Sequence, residues 1–375
     1  MTGDGRLKSV DWGIGRLVAS ALLLSIVGLT AIWFLWPPNP AKSGVLGSTF
    51  IRQVIFVCAG AVMMIVAALP HPAMLRRGSY LFFVAGLATL GALLGYVDPM
   101  RGTRGWFAVG PFTVQPAEFV KLATVLALAR FLSYGRWKDG LPGFAGACVL
   151  AAAPAALILM QPDLGSAILF VPILLAMLVT AGTSRRYLAG AALVLAISMP
   201  AAYFTVLKPY QRERILAFFN PDSVSRDKRY QTDHALNATA SGGFLGRGLG
   251  GSAASYPFYI PDRHTDFVFS AIGEELGFVG CSLVLLLYAT ILYELFRIAW
   301  TTKEPFGRLV VVGIAAFLFS QVTINVGMTV GVLPTTGLTL PFVSYGGSSL
   351  VTCFLAVGMA VGVARHKVQT LRRGS

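Results

Sequence analysis

Long apolar runs dominate this chain, separated by short polar punctuation, and one extended polar stretch breaks the rhythm. The runs fall at 16–36, 50–69, 79–97, 116–133, 143–160, 164–181, 187–206, 266–296, 308–333 and 346–364. A helix of roughly 20 apolar residues crosses a ~30 Å hydrocarbon core, so each run is about long enough to span a bilayer. The first, Leu17 to Trp36, is too long for the core of a signal peptide and no clear cleavage site follows it. It is expected to stay as an anchor. The 266–296 run exceeds what a bilayer needs and is expected to begin outside it or to tilt. The pattern predicts an all-α polytopic membrane protein, a single transmembrane domain over residues 1–375. About ten transmembrane helices are expected, with one long extracytoplasmic loop (about 207–265) before the eighth.

That loop, Leu207 to Thr265, is far longer than an ordinary connection, and such loops are usually functional or disordered. Its aromatic and aliphatic residues, among them Tyr210, Ile215, Phe218, Phe244 and Tyr259, can pack, which argues against disorder. Gln211 to Asn220 has the pattern of a short amphipathic helix lying at the membrane interface. Six glycines between Gly242 and Gly251 allow tight turns. No strand precedes the Gly-x-Gly pieces, so they are not a dinucleotide-binding fingerprint. Between the last two spans, Pro334, Gly337, Pro341 and Gly346-Gly347 interrupt any helix. Irregular backbone at membrane depth is tolerated where it is buried in protein or lines a cavity.

Composition agrees with the pattern. The chain is 55% hydrophobic and 12% charged, with a mean hydropathy of +0.71, which overrides the two or three soluble domains that length alone would suggest. The net charge of +14 is distributed in alternation rather than gathered into a nucleic-acid-binding surface. Arg6, Lys8 and Arg16, Arg76 and Arg77, Arg136 and Lys138, Arg185 and Arg186, Lys303 and Arg308, and Arg365 to Arg373 fall on one side. Short loops on the other side offer Lys42, Arg52, Arg101 and Arg104. The positive-inside rule then places both termini in the cytoplasm of a multi-pass cytoplasmic (inner) membrane protein. Cys58, Cys148, Cys281 and Cys353 lie in apolar runs without CxxC spacing and read as small core residues.

Ionisable residues collect at four junctions on the expected outer side. Glu118 and Lys121 stand three apart, on one face of a helix, and can pair. Such a pair is either a structural tie between helices or part of a polar cavity. Trp106 reads as an interface aromatic, Asp163 as a helix N-cap, and Ser344 as the small-residue entry to a helix. Thr265 or Asp266 is placed to cap the helix that follows, but Asp266 also ends the long loop and follows Arg263 and His264. Glu274 lies about two turns deeper on an adjoining face, with Glu275 directed elsewhere. His264 has no second His nearby, which argues against zinc. Residues 207–265 hold eight basic against five acidic residues. They form either a solvated face or a clamp for an anionic headgroup, where Arg can bind phosphate in bidentate fashion.

At these motifs the sequence resembles the SEDS family (shape, elongation, division and sporulation) of bacterial cell-wall polymerases over nearly its whole length. The resemblance rests on Pro261-Asp-Arg-His-Thr-Asp-Phe267 with Gly273-Glu-Glu-Leu-Gly277, and on Leu333-Pro-Thr-Thr-Gly337 through Pro341-Phe-Val-Ser-Tyr-Gly-Gly-Ser-Ser349. Gln115-Pro-Ala-Glu118 and Gln161-Pro-Asp-Leu-Gly165 add to it. Family members have ten spans, polymerise lipid II into glycan strands on the outer face, and work with a class B penicillin-binding protein. The resemblance implies Asp266 as catalytic residue and Trp106, Glu118, Lys121 and Asp163 as functional positions. Arg212, Arg263, His264 and Ser344, in the loop and its motifs, join them as candidate substrate contacts. The wording around Asn325-Val-Gly-Met is more similar to the elongation member RodA, which maintains rod shape, than to the division member FtsW. Ser223 to Gln231 departs from the family's usual wording after Asn220-Pro-Asp222, so binding details are not carried over there.

The implied reaction is an inverting displacement, in which a sugar hydroxyl attacks an anomeric carbon and a polyprenyl diphosphate leaves. Diphosphate departs without protonation, so one base and positive charge suffice, unlike the carboxylate pair of glycoside hydrolases. Asp266 would be the base, with Arg, Lys or a divalent cation (Mg or Mn) balancing the diphosphate. A flippase for the same lipid would also want a polar cavity and intramembrane acids, but no paired discontinuous helices are legible in matching halves. A scaffold for a penicillin-binding protein would need no Asp266.

The predicted topology is checked by cysteine scanning in a background freed of the four native cysteines. A membrane-impermeant maleimide should label a cysteine at Ser225 in intact cells and leave one at Ser184 unlabelled. The reverse pattern would overturn both topology and mechanism.

Overall fold

A computed structural model of the protein describes residues 3–35, 49–96, 103–110, 112–134, 140–205, 207–220, 226–250 and 265–373. The apolar runs fold as helices: α1 (Gly3–Leu35), α2 (Thr49–Ala68), α3 (Pro72–Tyr96), α4 (Pro116–Ser133), α5 (Leu141–Met160), α6 (Leu164–Ile168), α7 (Phe170–Ala181) and α8 (Arg185–Thr205). Within the long connection stand α9 (Pro209–Phe219) and α10 (Arg226–Ser241). Helices α11 (Val268–Thr301), α12 (Pro305–Thr329) and α13 (Gly347–Arg373) complete the bundle. Eight stretches, with α6 and α7 joined as one, are long and apolar enough to cross a bilayer. Helices α4 and α8 occupy the other two predicted positions. Hydropathy alone passes over α4 because its 18 residues include Glu118, Lys121 and Arg130.

Starts and stops follow local chemistry. Pro116, Pro209 and Pro305 open α4, α9 and α12 at positions where the missing N–H costs nothing. Glu304 caps α12 by accepting from the Phe306 and Gly307 amides. Helices α12 and α13 form the centre: 67% and 83% of their apolar windows are buried, against 22% for α2 and α3. Helix α13 packs along α2, α3 along α4, and α11 along both α1 and α12. A buried carboxylate ties the last of these contacts: Glu294 on α11 meets Arg16 of α1 at 2.5 Å and Arg297 at 2.9 Å.

Three features depart from the sequence reading. Phe107–Val109 (β1) and Phe112–Val114 (β2) form a small antiparallel hairpin around Gly110, φ +58°, ahead of α4. The segment at 209–219 is helical as expected, yet its buried Gln211 turns into the bundle and donates to the Pro162 carbonyl at 3.4 Å. It is therefore docked on protein through that face.

The third departure is a break in α11 at Gly277, φ 62°, ψ −158°. The glycine-rich residues 242–248 fill the gap. Carbonyls of Glu274 and Glu275, freed by the break, accept from the Arg247 and Gly248 amides at 3.0 Å. Phe278 and Val279 amides in turn donate to the carbonyls of Gly243 (2.9 Å) and Phe244 (3.2 Å). Four backbone groups beside the kink thereby regain a partner, as an apolar environment demands. The close approach requires glycine, since a Cβ on Gly246 would lie 2.1 Å from the Glu275 carbonyl oxygen. The glycines read as turn formers are thus contact points on a discontinuous helix.

Gly246 and Gly248 give a matched test, since both have positive φ but a Cβ on Gly248 meets nothing within 4 Å. Gly248→Ala should cost only the left-handed backbone strain, about 1–2 kcal/mol. Gly246→Ala should cost clearly more and lower the thermal midpoint in detergent further. Equal shifts would dissolve the docked-loop account.

Candidate active site

Two of the predicted site residues, Asp266 and Ser344, meet at one irregular segment, residues 330–346, between α12 and α13. The last carbonyls of α12 accept from the amides of residues 330–333; beyond them no helix or strand ladder continues, and buried side chains of neighbouring helices take over. Asn325 Nδ2 donates to the Leu338 carbonyl at 2.6 Å, and Gln321 Nε2, one turn earlier on α12, donates to that of Thr339 at 2.9 Å. Gln53 of α2 reaches the Ser344 carbonyl at 3.1 Å, and the Tyr288 hydroxyl of α11 donates to that of Pro341. Ser344 Oγ accepts from the Leu340 amide at 2.8 Å, so this residue pins the segment to itself.

Asp266 is tied into the same frame. The Asn325 amide that holds Leu338 also donates to the Asp266 carbonyl at 2.9 Å. The N-cap of α11 is Phe267, with no side-chain cap, which corrects the capping expectation for Thr265 and Asp266. The Asp266 carboxylate instead faces Gly337: Oδ2 lies 3.6 Å from where that glycine's Cβ would be. Gly337 has φ +75°, a conformation that keeps this position free of a side chain at little cost.

Asp163 is the N-cap of α6, as the sequence suggested. Its Oδ1 accepts from the Ser166 amide at 2.9 Å, and its Oδ2 accepts from Ser166 Oγ at 2.7 Å and from Gln115 Nε2 at 3.0 Å. Gln115 in turn donates its backbone N–H to Ser348 Oγ at 2.9 Å, joining this corner to the start of α13. Trp106 is partly buried and follows Gly105, whose open face looks onto the side chains of Gln115 and Gln161. Glu118 and Lys121 form a buried pair at 2.8 Å, 4% and 0% exposed. The ammonium also sits 4.9 Å from the centroid of the Phe317 ring on α12, so the pair joins α4 to the central helix.

Arg212, expected at the substrate, is engaged elsewhere: Nη2 and Nε donate to the carbonyls of Phe204 (2.6 Å) and Leu207 (3.0 Å), closing the end of α8. Two positions further on, Arg214 is exposed, and its Nη1 lies 3.9 Å from the same open face of Gly337. Glu274 meets Arg247 at 3.8 Å. Arg263 and His264 lie outside the described residues. The sequence reading missed Gln53, Gln321, Asn325 and Tyr288, although polar amides inside apolar spans, two of them four residues apart, were a visible signal. Among the described residues no three His, Cys, Asp or Glu side chains come together. One carboxylate beside a guanidinium does not make a divalent-cation site by itself.

The family model for FtsW, RodA and SpoVE, described as a cell cycle protein, matches residues 16–369. The chain belongs to the SEDS family. This SEDS protein is 36% identical over 359 residues to a probable peptidoglycan glycosyltransferase FtsW of Thiomicrospira cyclica, covering 93% of this chain and 91% of the relative. It is 30% identical to the peptidoglycan glycosyltransferase MrdB of Escherichia coli, covering 97% and 98%. Its fold matches a chain of a peptidoglycan synthase complex in which polymerization and crosslinking are coordinated, with TM-score 0.80, 32% identity and coverage of 94% and 97%. Thermus thermophilus RodA matches with TM-score 0.68 at 28% identity, covering 93% and 95%. Relatives named FtsW and relatives named MrdB or RodA are thus similarly close to this SEDS protein.

The pair at Glu118 and Lys121 yields a stability test. Glu118→Gln leaves the Lys121 ammonium buried without its carboxylate, and losses of about 3–5 kcal/mol accompany such breaks. Adding Lys121→Met should recover much of that loss. A single variant as heat-stable as wild type would show that the pair does not hold α4 in place.

Proposed function

We propose that this SEDS protein is a peptidoglycan glycosyltransferase that polymerises lipid II into glycan strands at the outer face of the cytoplasmic membrane, with both termini inside. The glycosyltransferase names carried by its FtsW and MrdB relatives support the class. The observation that carries the mechanism is Asp266: its carboxylate faces the open side of Gly337, and Phe267, not Asp266, is the N-cap of α11. Asp266 is the general base. It removes the proton of an acceptor sugar hydroxyl as that oxygen attacks the donor's anomeric carbon. The bond from that carbon to the diphosphate oxygen breaks and the configuration inverts.

Glu118, Lys121 and Asp163 maintain the polar walls of the site, while Trp106 and Ser344 bound it. A class B penicillin-binding protein is the proposed partner, supported by the match to a synthase complex. The Asn325-Val-Gly-Met wording supports the elongation role, and rescue of rod shape rather than of division in depleted cells would distinguish the two. The break in α11 does not favour a flippase, because backbone groups of residues 242–248 fill the gap.

Asp266→Asn preserves shape and the backbone bond to Asn325, so its thermal midpoint should equal that of wild type. Purified in detergent and given lipid II, it should form strands about 10²–10⁴ times more slowly, the usual loss on removing a general base. Normal polymerisation by a well-folded Asp266→Asn protein would remove Asp266 from the mechanism. A wild-type protein that forms no strands would leave a scaffold or a flippase.

A further inference from the structure

We propose that Arg214 is a second catalytic residue, the guanidinium that receives the diphosphate, and that the side-chain-free face of Gly337 is the gap where the reacting groups meet. The proposal rests on the polymerase reading above and names its charge-stabilising group. A Cβ on Gly337 would lie 3.6 Å from Asp266 Oδ2 and 3.9 Å from Arg214 Nη1. A base and a cation therefore border one point, and among the described residues only a glycine hydrogen occupies it. With φ +75°, any other residue would be strained there and would project its side chain into the gap.

The other basic side chains described nearby are committed. Arg212 holds the carbonyls of Phe204 and Leu207, Arg247 faces Glu274, and Lys121 is buried against Glu118. Arg214 forms no ion pair among the described residues and is exposed, so substrate can reach it. Its position is nonetheless set, because α9 is anchored through Gln211 to the Pro162 carbonyl and through Arg212 to the end of α8. A guanidinium held on a docked helix, rather than on a loose loop, suits bidentate recognition of phosphate oxygens.

The chemistry requires this division of labour. As the acceptor oxygen bonds to the anomeric carbon, its proton passes to Asp266. The electron pair of the breaking carbon–oxygen bond passes to the diphosphate, which gains one negative charge. A cation placed where that charge develops stabilises the transition state more than the ground state.

The test compares wild type with Arg214→Gln and Arg214→Lys for strand formation from lipid II, together with inhibition by undecaprenyl diphosphate and by undecaprenyl monophosphate. Arg214→Gln should keep the wild-type thermal midpoint and lower kcat about 10²-fold, the scale for losing one charge-stabilising donor. Its affinity for the diphosphate should fall about tenfold or more, with little change for the monophosphate. Arg214→Lys should restore part of both. Wild-type kcat in Arg214→Gln, or a loss of kcat with unchanged diphosphate inhibition, would overturn the assignment. If wild type polymerises and Asp266→Asn does not, either result sinks the Arg214 role alone. A wild-type protein that makes no strands sinks the reaction beneath it.

Discussion

Backbone that is neither helix nor strand cannot lie inside an apolar bundle unless its polar groups find partners. In this protein that requirement falls on residues 330–346, and Gln53, Gln321, Asn325 and Tyr288, drawn from α2, α12 and α11, meet it. An unpaired buried amide costs on the order of 1–3 kcal/mol, so the segment has little freedom to adopt another path. Because Asn325 holds Leu338 and Asp266 with one amide group, the same constraint fixes the mouth of α11. The geometry at Gly337 is a consequence of this buried network.

The break in α11 obeys the same rule with a different partner. There, residues 242–248 supply backbone groups, and glycine permits the approach at Gly246. Both irregular places are thereby rigid, which is what a site needs when reacting atoms must stay aligned. The buried charges serve the same purpose. Glu118 with Lys121 joins α4 to α12, and Glu294 with Arg16 and Arg297 joins α11 to α1. Buried pairs seldom add net stability over apolar packing. Their effect is to penalise any arrangement that separates the partners.

Roles within the polar set differ by position. Asp163 and Arg212 close helix ends, so their charge is directed at the fold. Asp266 and Arg214 border an open point beside Gly337. Neighbouring residues of one type thus divide between scaffold and chemistry according to which backbone groups lie within their reach.

The sequence by itself determined the membrane class, the positions of the spans, the pairing of Glu118 with Lys121 and the cap at Asp163. Each depends on spacing along one helix or on the length of an apolar run, and both are local properties. It also marked Asp266 and the breaks at Pro334, Gly337 and Pro341. The hairpin at 107–114 follows from short β-prone segments around Gly110, but the long helical runs on either side obscured it. Only tertiary structure decided that α11 breaks at Gly277, that Arg212 serves α8, and that Arg214 shares a point with Asp266. Those outcomes depend on which distant carbonyls and amides packing brings within about 3 Å of one another, and no periodicity in a single chain records that.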